Sequence, residues 1–202
     1  MNAPIKLTDR KRQAIVEAAI AEFRASGFES TSMDKIAATA GVSKRTVYNH
    51  FPSKDELFAQ ILHELWCSIG AMQPPPYAPA VPLRQQLLDL LGKKMEMLQD
   101  GYFLDLARVA IAEAIHSPER AQEMVARLSV KEEAVTTWLR AAQADGKLVR
   151  AGDPELASQI LQGQLKTFAF WPQVTMNQPP LSADMQRKVV EAAVEMFLAY
   201  AD

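Results

Sequence analysis

Apolar residues recur three and four apart through nearly every long window of this 202-residue chain, and few windows alternate with period two. Such spacing lines one face of a 3.6-residue helix and no face of a strand, so the chain is expected to be all-α. Only eight glycines interrupt the pattern. A first helix is expected after Thr8 and ends at Gly27; Ile15, Ala18, Ala19 and Phe23 recur along it. A second starts at Thr31 or Ser32, carries Met33, Ile36, Ala37 and Ala40 on one stripe, and ends at Gly41. A third runs from the cap Ser43 to near Pro52, and Ser53 with Glu56 announces a fourth by a capping box. The prolines of 73–82, "QPPPYAPAVP", then forbid a continuing helix. Beyond them helices are expected at 83–99, 102–115, 118–127, 130–145, 154–171 and 183–200, for about nine to ten helices in all.

Charge divides the chain unevenly. The formal net charge is −2, but residues 1–54 hold nine Lys/Arg against five Asp/Glu, four in excess, which leaves the remainder at −6. A basic head on an acidic body suits a local polyanion contact rather than a broadly basic, architectural DNA binder. The seam is expected after residue 54, dividing a basic head, 1–54, from an acidic helical body, 55–202. One cysteine, Cys67, excludes an internal disulfide and fits a reducing compartment. The N-terminus "MNAPIKLTDRKRQ" has no apolar segment of the signal-peptide kind, and no apolar run approaches a membrane span. A cytoplasmic protein without membrane contact is expected.

The stretch "GVSKRTVYNHF", residues 41–51, is too polar to be a core helix. Two short helices joined by a tight Gly turn form a helix-turn-helix unit. Ala37 and Ala40 allow close approach, Gly41 permits a left-handed backbone, and Val42, Val47 and Phe51 turn inward. Seven residues, 44–50, span about 10 Å at ~1.5 Å each, which suits a major groove ~12 Å wide. Arg45 is suited to bidentate contact with guanine and Asn49 to adenine. Lys44 lies on or beside the same outer surface, and Thr46 is placed for a thymine methyl or a phosphate. Tyr48, His50 and Lys54 are assigned to phosphates. Thr31 and Ser32, at the start of the second helix, and the cap Ser43 complete the expected DNA-binding set.

The whole segment "TSMDKIAATAGVSKRTVYNHFPSKDELFAQIL" resembles the DNA-binding domain of the TetR/AcrR family over roughly residues 9–65. The matching residues are Thr31, Ser32, Ile36-Ala37, Ala40-Gly41-Val42-Ser43, Thr46, Val47-Tyr48, His50-Phe51, Ser53-Lys54 and Leu57. Arg45 stands where that family often has glycine, which makes it a determinant of operator choice. "LKTFAFWPQ", 165–173, is similar to the AefR-like C-terminal subgroup. The resemblance implies a homodimeric regulator of transcription bound to double-stranded operator DNA, most simply a repressor that a small effector releases.

The body itself is less explicit. Trp66, Met95, Tyr102, Phe103, Met124, Trp138, Gln164 and Phe168 are candidates for an effector site, although core packing is the ordinary role of each large one. Such a site would suit a mainly apolar compound. Leu161, Leu165 and Ala169 of one helix and Val189, Ala193 and Met196 of another are candidates for dimerisation, because both helices are apolar over most of their surface. His63 and Cys67 have the spacing of a metal pair but no third ligand nearby, so no metal or other cofactor is expected. Without a nucleophile–base set, Gly-rich phosphate loop or carboxylate cluster, an enzyme is not expected. The alternatives are a helical small-molecule-binding protein, or an activator using the same head.

Overall fold

A computed structural model of the chain describes residues 7–71, 75–128 and 134–201, without the side chains of 7, 124, 125, 127 and 128. Its regular elements are α1 (Leu7–Ser26), α2 (Met33–Thr39), α3 (Lys44–His50), α4 (Lys54–Ala71), α5 (Leu83–Leu98), α6 (Gly101–His116), α7 (Pro118–Leu128), α8 (Ala134–Ala144), α9 (Pro154–Ala169), α10 (Trp171–Met176) and α11 (Ala183–Ala201). A 3-10 turn, Val149–Ala151, sits between α8 and α9. The described residues contain no strand. Counting α9 and α10 as one helix broken at Phe170 brings the described total to ten. Thr8, expected as the cap of α1, lies one residue inside it.

The chain folds as two compact units, and each draws on two stretches of sequence. The first holds Met1–Cys67 and Asp105–Ala126; the second holds Ser68–Leu104 and Arg127–Asp202. In the first, Ile15, Val16, Ala19 and Phe23 of α1, Ile36 of α2 and Val47 of α3 are almost fully buried. Leu57 and Ile61 of α4 and Leu106 and Ala110 of α6 are completely so. α1, α2 and α3 pack on one another. The seam expected after residue 54 falls inside this unit. Phe58 of α4 meets Phe28 edge-on at 5.3 Å, and Gln60 accepts a 2.8 Å hydrogen bond from Arg12.

In the second unit α11 packs along α5 and α9, and α8 packs on α9. Leu87, Leu91, Met95, Leu139, Leu161, Leu165 and Val194 form its dry interior. The helix expected to run to 171 breaks at Phe170 for a backbone reason. Pro172 has no N–H to give to the carbonyl of Phe168, and its ring crowds that carbonyl. The buried amide of Gln173 supplies the missing donor, with Nε2 3.2 Å from Phe168 O.

Ala78 and Val81 of the proline-rich segment are likewise held by one amide. Gln86, buried at the start of α5, accepts from Ala78 N at 2.8 Å and donates to Ala78 O and Val81 O at 2.9 and 2.7 Å. Trp138 Nε1 donates to the same Gln86 oxygen at 3.3 Å, and Tyr77 stands edge-on to the Trp138 ring at 5.6 Å. Gln86→Leu keeps the volume but removes every one of these bonds, so it is expected to cost about 1–3 kcal/mol. Urea unfolding should show a lower midpoint at an unchanged slope.

Candidate nucleic-acid interface

Local sequence determines how the two short helices meet. Ser32 Oγ accepts from Lys35 N at 3.2 Å and so caps α2. The helix ends in a Schellman turn: Val42 N donates to Ala37 O at 3.1 Å across Gly41, whose φ is +64°. Ser43 Oγ then accepts from Thr46 N at 3.1 Å and caps α3. Val47 is fully buried and Phe51 3% exposed, while Val42 is only half-buried. With Val47 and Phe51 inward, Lys44, Arg45, Tyr48 and Asn49 are exposed along the other side of α3. Thr46 and His50 flank them half-buried.

Charges around these helices are mostly paired. Lys44 Nζ lies 2.8 Å from both carboxylate oxygens of Asp34. That carboxylate raises the lysine pKa, first through the hydrogen bond and then through its charge. Lys35 bridges to Glu22 at 2.7 Å and to Ser26 Oγ at 2.9 Å, and Thr39 Oγ1 donates to Glu22 at 2.6 Å. The Lys35 hydrogen bond, then that of Thr39, lowers the Glu22 pKa. Among the described residues, Arg45 and Asn49 have no acceptor or donor within the chain, so their polar groups are presented to solvent.

Two residues expected to grip phosphates turn inward instead. Thr31 is 3% exposed, and its hydroxyl donates to Gly27 O at 2.8 Å, closing the turn from α1 to α2. Lys54 donates to Phe28 O at 2.6 Å and Glu29 O at 3.1 Å, and its ammonium lies 4.3 Å from the centre of the Phe28 ring. Two of its three donors are therefore spent on the same turn. Sequence reasoning also missed Arg120 of α7, which shares this cluster. Its guanidinium lies 4.2 Å from the Phe28 ring and 5.3 Å from Phe58, and bridges Glu113 and Asp55 at 2.7 Å each. A charged residue in an amphipathic helix 66 positions after residue 54 carries no local signal of this role.

The effector candidates are dispersed. Met95, Phe103 and Trp138 are buried, the last two with rings 6.0 Å from Phe170 and 5.6 Å from Tyr77. Tyr102 and Phe168 are exposed, and Gln164 is half-buried with Oε1 out of reach of solvent. Trp66 lies in the first unit, and the side chain of Met124 lies outside the described residues. His63 Nε2 and Cys67 Sγ are 3.5 Å apart on an exposed face of α4, with no metal-binding group of three about them among the described residues.

The dimerisation candidates need correction. Leu161, Leu165, Ala169, Val189 and Ala193 are all buried within this one chain, and Met196 alone is exposed. α11 lies between α5 and α9, so the stripes facing those neighbours are consumed by the core. The large apolar residues left exposed on these helices are Leu156, Ile160 and Phe168 on α9, Trp171 and Met176 on α10, and Met185, Met196 and Tyr200 on α11.

Residues 15–61 match the model of bacterial regulatory proteins, tetR family, and residues 85–201 match that of the AefR-like transcriptional repressor, C-terminal domain. A TetR family transcriptional regulator from Pseudomonas syringae pv. tomato str. DC3000 has a similar structure, with a TM-score of 0.83. It is 55% identical, over 96% of this chain and 97% of that one. The HTH-type transcriptional regulator RutR of Escherichia coli (strain K12) is 25% identical over 167 residues, 81% of this chain and 76% of its own length. The HTH-type transcriptional repressor SCO4008 of Streptomyces coelicolor is 33% identical over 113 residues, 56% of this chain and 58% of its own. No helix among the described residues is long and apolar enough to cross a membrane.

Two outcomes follow for the head. Arg120→Ala leaves the Glu113 carboxylate, 6% exposed, without its cation and should cost about 2–3 kcal/mol in chemical denaturation. For Glu22 the sign follows from a lowered pKa. Its contribution is complete above the ordinary glutamate range and is lost as pH falls through the lowered folded value. Melting curves of wild type and Glu22→Gln, measured from neutral to acid pH, should therefore converge on acidification.

Proposed function

The chain belongs to the TetR family and carries an AefR-like C-terminal domain; it is a DNA-binding regulator of transcription and not an enzyme, and we propose that it works as a homodimeric repressor released from its operator by a small, mainly apolar effector. One observation carries the DNA side of this reading: the side chains of Arg45 and Asn49 are exposed on α3 with no partner among the described residues. A guanidinium and an amide on one short helix supply bidentate groups for guanine and adenine in the major groove. Ser32, Ser43, Thr46, Tyr48 and His50 border them and serve the backbone and the approach of α3, while Lys44 stands beside them paired with Asp34. Thr31 and Lys54 support the turn beneath and make no direct contact.

The second copy sits on the exposed apolar residues of α9, α10 and α11. Ile160, Phe168, Trp171, Met196 and Tyr200 are each about half exposed or more, and an isologous four-helix contact covers them on both chains. A two-fold dimer sets its two recognition helices about 34–36 Å apart, one turn of DNA. An effector that prefers another spacing weakens operator binding by its differential affinity for the two states. The buried aromatic and sulfur side chains Met95, Phe103 and Trp138 suit an apolar ligand.

Duplexes enriched from a random library by the full-length protein test the reading. Binding to them should weaken steeply with salt, and Arg45→Ala should lose about 1–3 kcal/mol at one base position while relaxing the preference there. Enrichment of no common sequence would sink it. Met196→Glu places a charge on the proposed dimer face, so native mass spectrometry should report the monomer mass, and operator binding should fall at least about 100-fold with the helical spectrum intact. A variant that remains dimeric would move the interface elsewhere.

A further inference from the structure

Three Lys/Arg residues lie between residues 31 and 50: Lys35, Lys44 and Arg45. Two are neutralised within the chain, Lys35 by Glu22 and Lys44 by Asp34. Arg45, proposed to read a base, is the one left without a carboxylate among the described residues. Lys44 and Asp34 are 62% and 61% exposed, so burial does not force them together. They meet because of where the turn places them. Asp34 stands in the first turn of α2 and Lys44 opens α3, and the Gly41 turn brings the ammonium within 2.8 Å of both carboxylate oxygens.

That arrangement bears on DNA selection. A lysine on a phosphate adds affinity without regard to sequence, with a salt slope steeper by about 0.9 per contact. Contacts to base edges carry the discrimination. For Lys44 to grip a phosphate it must leave Asp34, and the abandoned carboxylate then faces a polyanion. Binding to non-operator DNA is almost wholly phosphate contact, so it bears this cost fully. On the operator, base contacts fix the register of α3 and contribute what Lys44 does not.

We propose that Asp34 is a specificity-determining residue: it holds Lys44 as a neutral pair beside α3 and so keeps the head's grip on non-operator DNA weak. The inference rests on the DNA-binding reading above and adds a residue that contacts no base. Asp34→Asn retains the shape of the side chain and frees the ammonium.

The test uses the full-length protein and two 30-base-pair duplexes, one enriched from a random library by the wild type and one a scramble of equal composition. Asp34→Asn should tighten binding to the scramble about 5- to 10-fold and steepen its salt slope by about one. The enriched duplex should gain no more than about 2- to 3-fold, so the selectivity ratio falls. Adding Lys44→Met to Asp34→Asn should remove the gain on the scramble. Unchanged binding and slope in Asp34→Asn would overturn the proposal. So would equal tightening on both duplexes, or a gain that survives in the double variant, since Asp34 would then act only by repelling phosphates. Wild type that binds neither duplex would instead overturn the DNA-binding reading, and this inference with it.

Discussion

Phe28 lies where the turn between α1 and α2 meets two cations from later in the chain. Lys54 and Arg120 both stand over its ring, and Phe23 and Phe58 pack about 5 Å from it. A ring quadrupole attracts a cation most when water is largely excluded, and Phe28 is 6% exposed. The turn it anchors leads directly into Thr31 and the Ser32 cap, which set where α2 begins. The position of α2 sets the Schellman turn, and that turn aims α3. The direction of the reading helix therefore depends on a contact that includes no residue of α3.

A division of labour among polar residues follows. Some of the head's donors are spent on its own backbone, as with Thr31 and Lys54, and others on carboxylates, as with Lys35 and Lys44. Among the described residues, the exposed side chains of α3 left without a partner are a guanidinium, an amide and a phenol. A protein with net charge −2 gains little long-range attraction to DNA. In the proposed reading, selectivity rests on leaving Arg45 and Asn49 free while Lys35 and Lys44 are neutralised.

Much of this was legible in the residues themselves. The 3.6-residue period, the caps Ser32 and Ser43 and the glycines at 27 and 41 are local signals, and the helices begin and end close to them. The donor-rich α3 and its inward Val47 and Phe51 were also readable, because seven residues of helix have few ways to face. Thr31 and Lys54 were not legible in the same way, because their partners lie in the turn before α2. A hydroxyl or ammonium next to a DNA-binding motif looks available until the carbonyls of Gly27, Phe28 and Glu29 are placed beside it. The face of α9 and α11 was misjudged on different grounds: both helices are apolar on more than one side, and periodicity alone cannot rank two apolar stripes.

Sequence alone determined the all-α class, the helix-turn-helix and the identity of the groups offered on α3, because capping, turn chemistry and hydrophobic period act over a few residues. Tertiary structure alone decided which polar groups are spent and which apolar stripes are buried. It returned residues 105–126 to the unit that carries the head, with Arg120 stacked on Phe28. It placed α11 against α5 and α9, so that Leu161 and Val189 became core while Met196 and Tyr200 stayed outside. Those outcomes turn on contacts between residues far apart in the chain, whose geometry is set only when every helix has a neighbour.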